Sequence, residues 1–149
     1  MQTYFYRNFD FLGNTQDFMK AYQLGNYIQD WQKKTAMVVE INSKGVLAEY
    51  DMEQTYFLEW HDMKPIEIKI PIMIEMGFSI AREKDNPYHK EIGMSISLGG
   101  KFYNARGIIY DDKSIWVFNN VTILYIHQLQ NIISIIDPTI THQVRRSIL

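Results

Sequence analysis

The chain has 149 residues and a mass of 17.7 kDa, the length of one ordinary domain or two very small ones, which excludes a large multidomain enzyme. Hydrophobic residues make up 46% of it and aromatic residues 14%, enough apolar surface to exclude wholesale disorder at a mean hydropathy of -0.24. Fifteen Lys and Arg against seventeen Asp and Glu leave a net charge of -2, too weak a field for sequence-independent coating of nucleic acid.

Residues 1–21 read as an aromatic N-terminal arm. Tyr4 and Tyr6 share one side of an extended chain, Phe9 and Phe11 another, and Leu12-Gly13-Asn14-Thr15 is turn-prone. Such side chains either fold onto their own core or dock into a partner or a second copy, because aromatic anchors dominate interface energetics.

Residues 22–66 carry the marks of a small curled sheet. Tyr22 to Ile28 is followed by Thr35–Ile41, a turn at Asn42-Ser43-Lys44-Gly45, and Val46–Tyr50, which together predict a hairpin. Gln54–Trp60 adds another aromatic-rich run before His61-Asp62-Met63-Lys64-Pro65. Four or five short strands at this spacing predict an SH3-like sheet or small barrel.

Residues 67–149 are expected to share one core. Pro71 suits the first turn of a helix and Gly77 the left-handed position just past its end, so a short helix is predicted over Pro71–Met76. Residues 82–91, with Asp85-Asn86-Pro87, read as a loop. The alternation of Met94, Ile96 and Leu98 then opens an antiparallel meander, turning at Gly99-Gly100 and at Asp111-Asp112-Lys113. Asn119-Asn120 ends it, and Thr122 is placed to cap an amphipathic helix bearing Ile126, Leu129, Ile133 and Ile136. Asp137-Pro138 stops that helix. The fold class is therefore α+β, with strands outnumbering helices.

The terminal helix carries the most specific motif. Tyr125-Ile126-His127-Gln128-Leu129-Gln130-Asn131 resembles the closing signature of small proteins from phages and prophages of Bacteroidetes. Gln23-Leu24-Gly25-Asn26, Pro65-Ile66 and Met76-Gly77-Phe78 echo two further landmarks of that family in the same order. Lys69, Ile70 and Pro71 stand where its central helix usually begins with Thr and acidic residues, and Ile136-Asp137-Pro138-Thr139 replaces the segment usual after its last helix. The resemblance implies a phage-linked origin and a bacterial host cytoplasm; it implies no catalytic residue.

Chemistry is sparse. Without cysteine there is no disulfide, no thiolate nucleophile and no cysteine-ligated metal. His61, His89, His127 and His142 lack the spacing of a helical ligand pair, and no cofactor or metal is expected. Ser95, Ser97 and Ser114 have no nucleophile-elbow setting, Asp111-Asp112 reads as a hairpin tip, and Gly99-Gly100-Lys101 as a turn, not a phosphate cradle. The start lacks a secretory signal and Val121–Ile136 is too interrupted to span a bilayer, so no membrane role is expected.

Two binding readings stay open. In the first the chain is a non-enzymatic accessory protein that meets a protein partner or a second copy through Tyr4, Tyr6, Phe9 and Phe11 and through a polar helix stripe of His127, Gln130, Asn131 and Ser134. Inhibition of a host defence component is one form it takes. In the second, Tyr50, Tyr56, Phe57 and Trp60 stack bases of a nucleic acid or nucleotide, flanked by Lys33, Lys34 and Lys44. Glu49, Asp51, Glu53 and Glu59 oppose that reading by repelling phosphate.

Overall fold

A computed structural model describes residues 22–51, 54–111 and 113–139. The aromatic arm, with Tyr4, Tyr6, Phe9 and Phe11, lies outside the described residues, as does the segment beyond Thr139. The chain divides into two compact units, one ending at Lys64 and the other beginning at Pro65.

The first unit is a five-stranded antiparallel sheet. Its strands are β1 (Tyr27–Asp30), β2 (Thr35–Asn42), β3 (Gly45–Glu49), β4 (Thr55–Glu59) and β5 (Met63–Lys64), in the spatial order β4-β3-β2-β1-β5. A 3₁₀ turn over Trp60–Asp62 joins β4 to β5. The predicted hairpin is present: Ile41 faces Val46 and Asn42 faces Gly45, while Asn42 Oδ1 accepts from the Lys44 and Gly45 amides at 2.8 and 3.2 Å. Ile28, Ala36, Val38, Val46, Ala48 and Leu58 form the core, with Tyr50 and Trp60 packed at its margin. A side chain at Gly45 would collide with the Leu58 carbonyl, so β3 and β4 pair this closely only because position 45 carries none.

The second unit holds α1 (Ile70–Glu75), a five-stranded antiparallel sheet and α2 (Ile126–Ile136). Its strands β6 (Ser79–Asp85), β7 (Lys90–Leu98), β8 (Lys101–Tyr110), β9 (Lys113–Phe118) and β10 (Val121–Ile123) lie side by side in chain order. Pro71 sits in the first turn of α1, and Gly77 takes φ +110 just past its end, where Phe78 N–H bonds back to the Met73 carbonyl at 3.0 Å. Ile92, Met94, Ile96, Leu98, Ala105, Trp116, Phe118 and Ile123 bury one face of the sheet. Phe78 meets Phe118 edge-on at 5.6 Å on that face.

The α+β class and the predominance of antiparallel sheet hold; among the described residues neither sheet closes into a barrel. Three local expectations are corrected. Residues 82–91 are not one loop, because β6 runs to Asp85 and β7 begins at Lys90. Asn119 and Asn120 do not end the meander: with φ of 52 and 66 they form the tight turn that launches β10. Thr122 is consequently a strand residue, and α2 begins after Tyr125, where Gln128 Oε1 accepts from the Leu124 and Tyr125 amides at 2.8 and 3.1 Å. Among the described residues no helix is long and apolar enough to cross a membrane.

Candidate functional site

The expected polar stripe on α2 is not one solvent-facing row. An α-helix turns about 100° per residue, so Gln130, four after Ile126 and three before Ile133, falls inside the apolar seam and not opposite it. Gln130 and His127 are buried, Asn131 is half-buried and Ser134 alone is exposed. His127 is fully enclosed, its ring stacked on Tyr125 at 6.0 Å, and burial pushes its pKa down to about 3, so the imidazole is neutral. These two side chains belong to the interior and not to a surface that a partner reaches.

The aromatic group on the first sheet does not assemble a stacking platform either. Tyr50 donates to Asp30 Oδ2 at 2.7 Å and meets Tyr56 edge-on at 5.8 Å, while Trp60 Nε1 donates to the Ser43 carbonyl at 2.9 Å. Tyr56 and Phe57 are both exposed, but as neighbours on β4 they point to opposite faces.

The surface that does assemble is the outer face of the second sheet, opposite its buried side. Register makes it. Lys84, Glu91, Ile108 and Ile115 form one cross-strand row, and Arg82, Gly93, Arg106 and Val117 form the next. A shallow concavity of about 540 Å³ lies over these two rows. Ile108, Ile115 and Val117 are 43%, 41% and 38% exposed, an aliphatic patch spanning β8 and β9 with charged groups beside it.

Electrostatics around the concavity are lopsided. Glu83 pairs with Lys90 at 3.6 Å. Glu91 is taken up by the β6–β7 loop, where His89 Nε2 and Asn86 Nδ2 lie 3.2 and 3.1 Å from its Oε2; the His89 contact holds its carboxyl below the usual range. Among the described residues neither the Arg82 nor the Arg106 guanidinium has an ion-pair or hydrogen-bond partner. Arg82, Lys84 and Glu91 came from a stretch that looked like a loop, which is why the sequence did not point to this face.

His61 sits on the 3₁₀ turn of the first unit, its ring nitrogens 3.7 Å from Glu59 and 3.3 Å from Asp62, with all three side chains open to water. Among the described residues no group of three His, Cys, Asp or Glu side chains is placed to hold a metal ion. No family model, curated protein or solved structure matches the chain.

Proposed function

We propose that this chain is a non-enzymatic binding protein that acts through protein contacts, using the outer face of the β6–β10 sheet. One observation carries the reading: Ile108, Ile115 and Val117 are brought together by register as an exposed aliphatic patch inside a concavity, beside the Arg82 and Arg106 side chains, unpaired among the described residues, in the row that Val117 shares. An aliphatic patch bordered by charge suits a peptide chain, whose apolar side chains fill the hollow while its polar groups meet the rim. Bases want exposed aromatic faces, and none lies in these two rows.

A phage-type accessory protein of the host cytoplasm, engaging a host protein, fits this use of surface, and the Tyr125–Asn131 motif supports that origin. We also read the first sheet as SH3-like. Its order β4-β3-β2-β1-β5 and the 3₁₀ turn before a short last strand paired to β1 support that likeness.

Selection of random peptides displayed on a carrier against the full chain tests the proposal. Peptides are expected to enrich and to lose binding when Ile115→Asp and Val117→Asp are introduced together, with the amide spectrum otherwise unchanged. Absence of enrichment, or enrichment indifferent to the double variant, overturns it.

A further inference from the structure

We propose that Arg82, Gly93 and Arg106 form a carboxylate-binding site, and that the segment seated on this sheet is an acidic peptide stretch of a protein partner. The inference rests on the protein-binding reading and adds the chemistry of what is bound.

Three observations meet at one place. First, Gly93 on β7 faces Arg82 on β6 and Arg106 on β8, so both cations occupy one cross-strand row with no side chain between them. Strands lie about 4.8 Å apart, which sets the two arginine backbones roughly 10 Å from each other. Arginine side chains rising from the two sides of that gap would bracket one carboxylate.

Second, the bare backbone at Gly93 gives the Arg82 side chain its path. A Cβ at Gly93 would stand 3.3 Å from Arg82 Cγ and 3.7 Å from its Nε, so Arg82 lies across the bare backbone of β7 toward Arg106. Position 93 has an ordinary strand conformation, since its φ is not among the positive ones. The missing side chain is therefore needed for the arginine and not for the backbone. A β-bulge between Ile80 and Arg82 shifts the β6 register and sets Arg82, in place of Ala81, opposite Gly93.

Third, the local acids are spent elsewhere. Glu83 goes to Lys90, and Glu91 goes to His89 and Asn86. Two like charges on one row repel, and among the described residues no carboxylate relieves them. An external carboxylate does so, and Arg presents a planar fork that matches it. The neighbouring Ile108, Ile115 and Val117 ask the same ligand for aliphatic groups next to its acid. A run of phosphodiesters meets these criteria poorly, because it offers no aliphatic groups to Ile108, Ile115 and Val117.

The test uses the full chain and three fluorescent probes: a short peptide repeating Glu-Ser-Val-Ser, its Gln-Ser-Val-Ser counterpart, and an oligothymidylate of similar length. An extended peptide of the first kind presents Glu and Val alternately on one side. The acidic peptide should bind roughly tenfold tighter than the neutral one at low salt. Arg82→Gln and Arg106→Gln should each remove most of that preference. Gly93→Val should do the same while keeping both guanidiniums, and Arg82→Lys should restore it only in part. Equal affinity for the two peptides, a preference untouched by the arginine variants, or tighter binding of the oligothymidylate overturns the site. Should the neutral peptide bind, lose binding on Ile115→Asp and match the acidic one, the carboxylate site falls and the protein-binding reading stands. If neither peptide binds, both fall.

Discussion

The Tyr50 hydroxyl donates a 2.7 Å hydrogen bond to Asp30 Oδ2, tying the residue just past β3 to the end of β1, twenty positions earlier. Asp30 is 4% exposed and turns its other oxygen to the Gln32 and Lys34 amides at 2.8 and 3.0 Å, which shapes the loop where Lys33 takes φ 64. Burial, reinforced by the Asp30 carboxylate, holds the Tyr50 hydroxyl protonated far above its ordinary range. Tyr50→Phe removes this long-range donor to the Asp30 carboxylate and should cost about 1–2 kcal/mol of stability, read from urea denaturation. A loss within measurement error would show that the contact is replaced by water without penalty.

Stability should also depend on pH through His127. Its folded pKa, about 3, lies below the 6.5 of the free side chain, so the unfolded chain binds a proton in the window between those values and the native chain does not. The sign follows: stability is fully present above this window and falls as pH falls through it, by up to about 1.4 kcal/mol per pH unit. His127→Asn removes the titration. The stability gap between wild type and H127N should therefore narrow from about pH 7 to about pH 4. A gap that stays constant would mean the ring is not enclosed.

Opposite Gly107 on β8 stands Trp116 on β9, and a Cβ at position 107 would come within 2.6 to 2.7 Å of the indole ring. The ring lies on bare backbone, 1% exposed, and fills the space a side chain would need. Gly107→Ala should cost about 1–3 kcal/mol through overpacking, despite adding a single methyl to a strand. Circular dichroism melts compare it with Gly100→Ala as a control. Gly100 has open space around it, and its cost should come from φ +84 alone.

How much of this was readable in the sequence depends on whether a local pattern carried it. The β2–β3 hairpin was legible because Ala36 and Val38 alternate inward and the turn residues bond to themselves. The bounds of α1 were legible because Pro71 and Gly77 are each suited to one end. Strand β6 was not, since none of its residues is buried and pairing with β7 alone makes it a strand. The Arg82–Gly93–Arg106 row was hidden for a deeper reason. A one-residue bulge fixes which β6 side chain faces Gly93, and three-strand register exists only once the sheet is formed. The α2 stripe misled because residue type stood in for angle, and Gln130 sits among the isoleucines.

Two asparagines form the left-handed turn between β9 and β10. Asn tolerates that region better than other non-glycine residues, but its Cβ still pays there, whereas glycine does not. Asn120, at φ 66, is exposed. Asn120→Gly should thus raise the melting temperature by a few degrees, about 0.5–1 kcal/mol, and Asn120→Val, which is β-branched, should lower it by more. Hydrogen exchange at the Trp116 and Ile123 amides, paired across β9 and β10, should slow in the first variant and speed up in the second. If both variants leave exchange unchanged, β10 is held by α2 and Glu67–Tyr125 pairing, not by its turn.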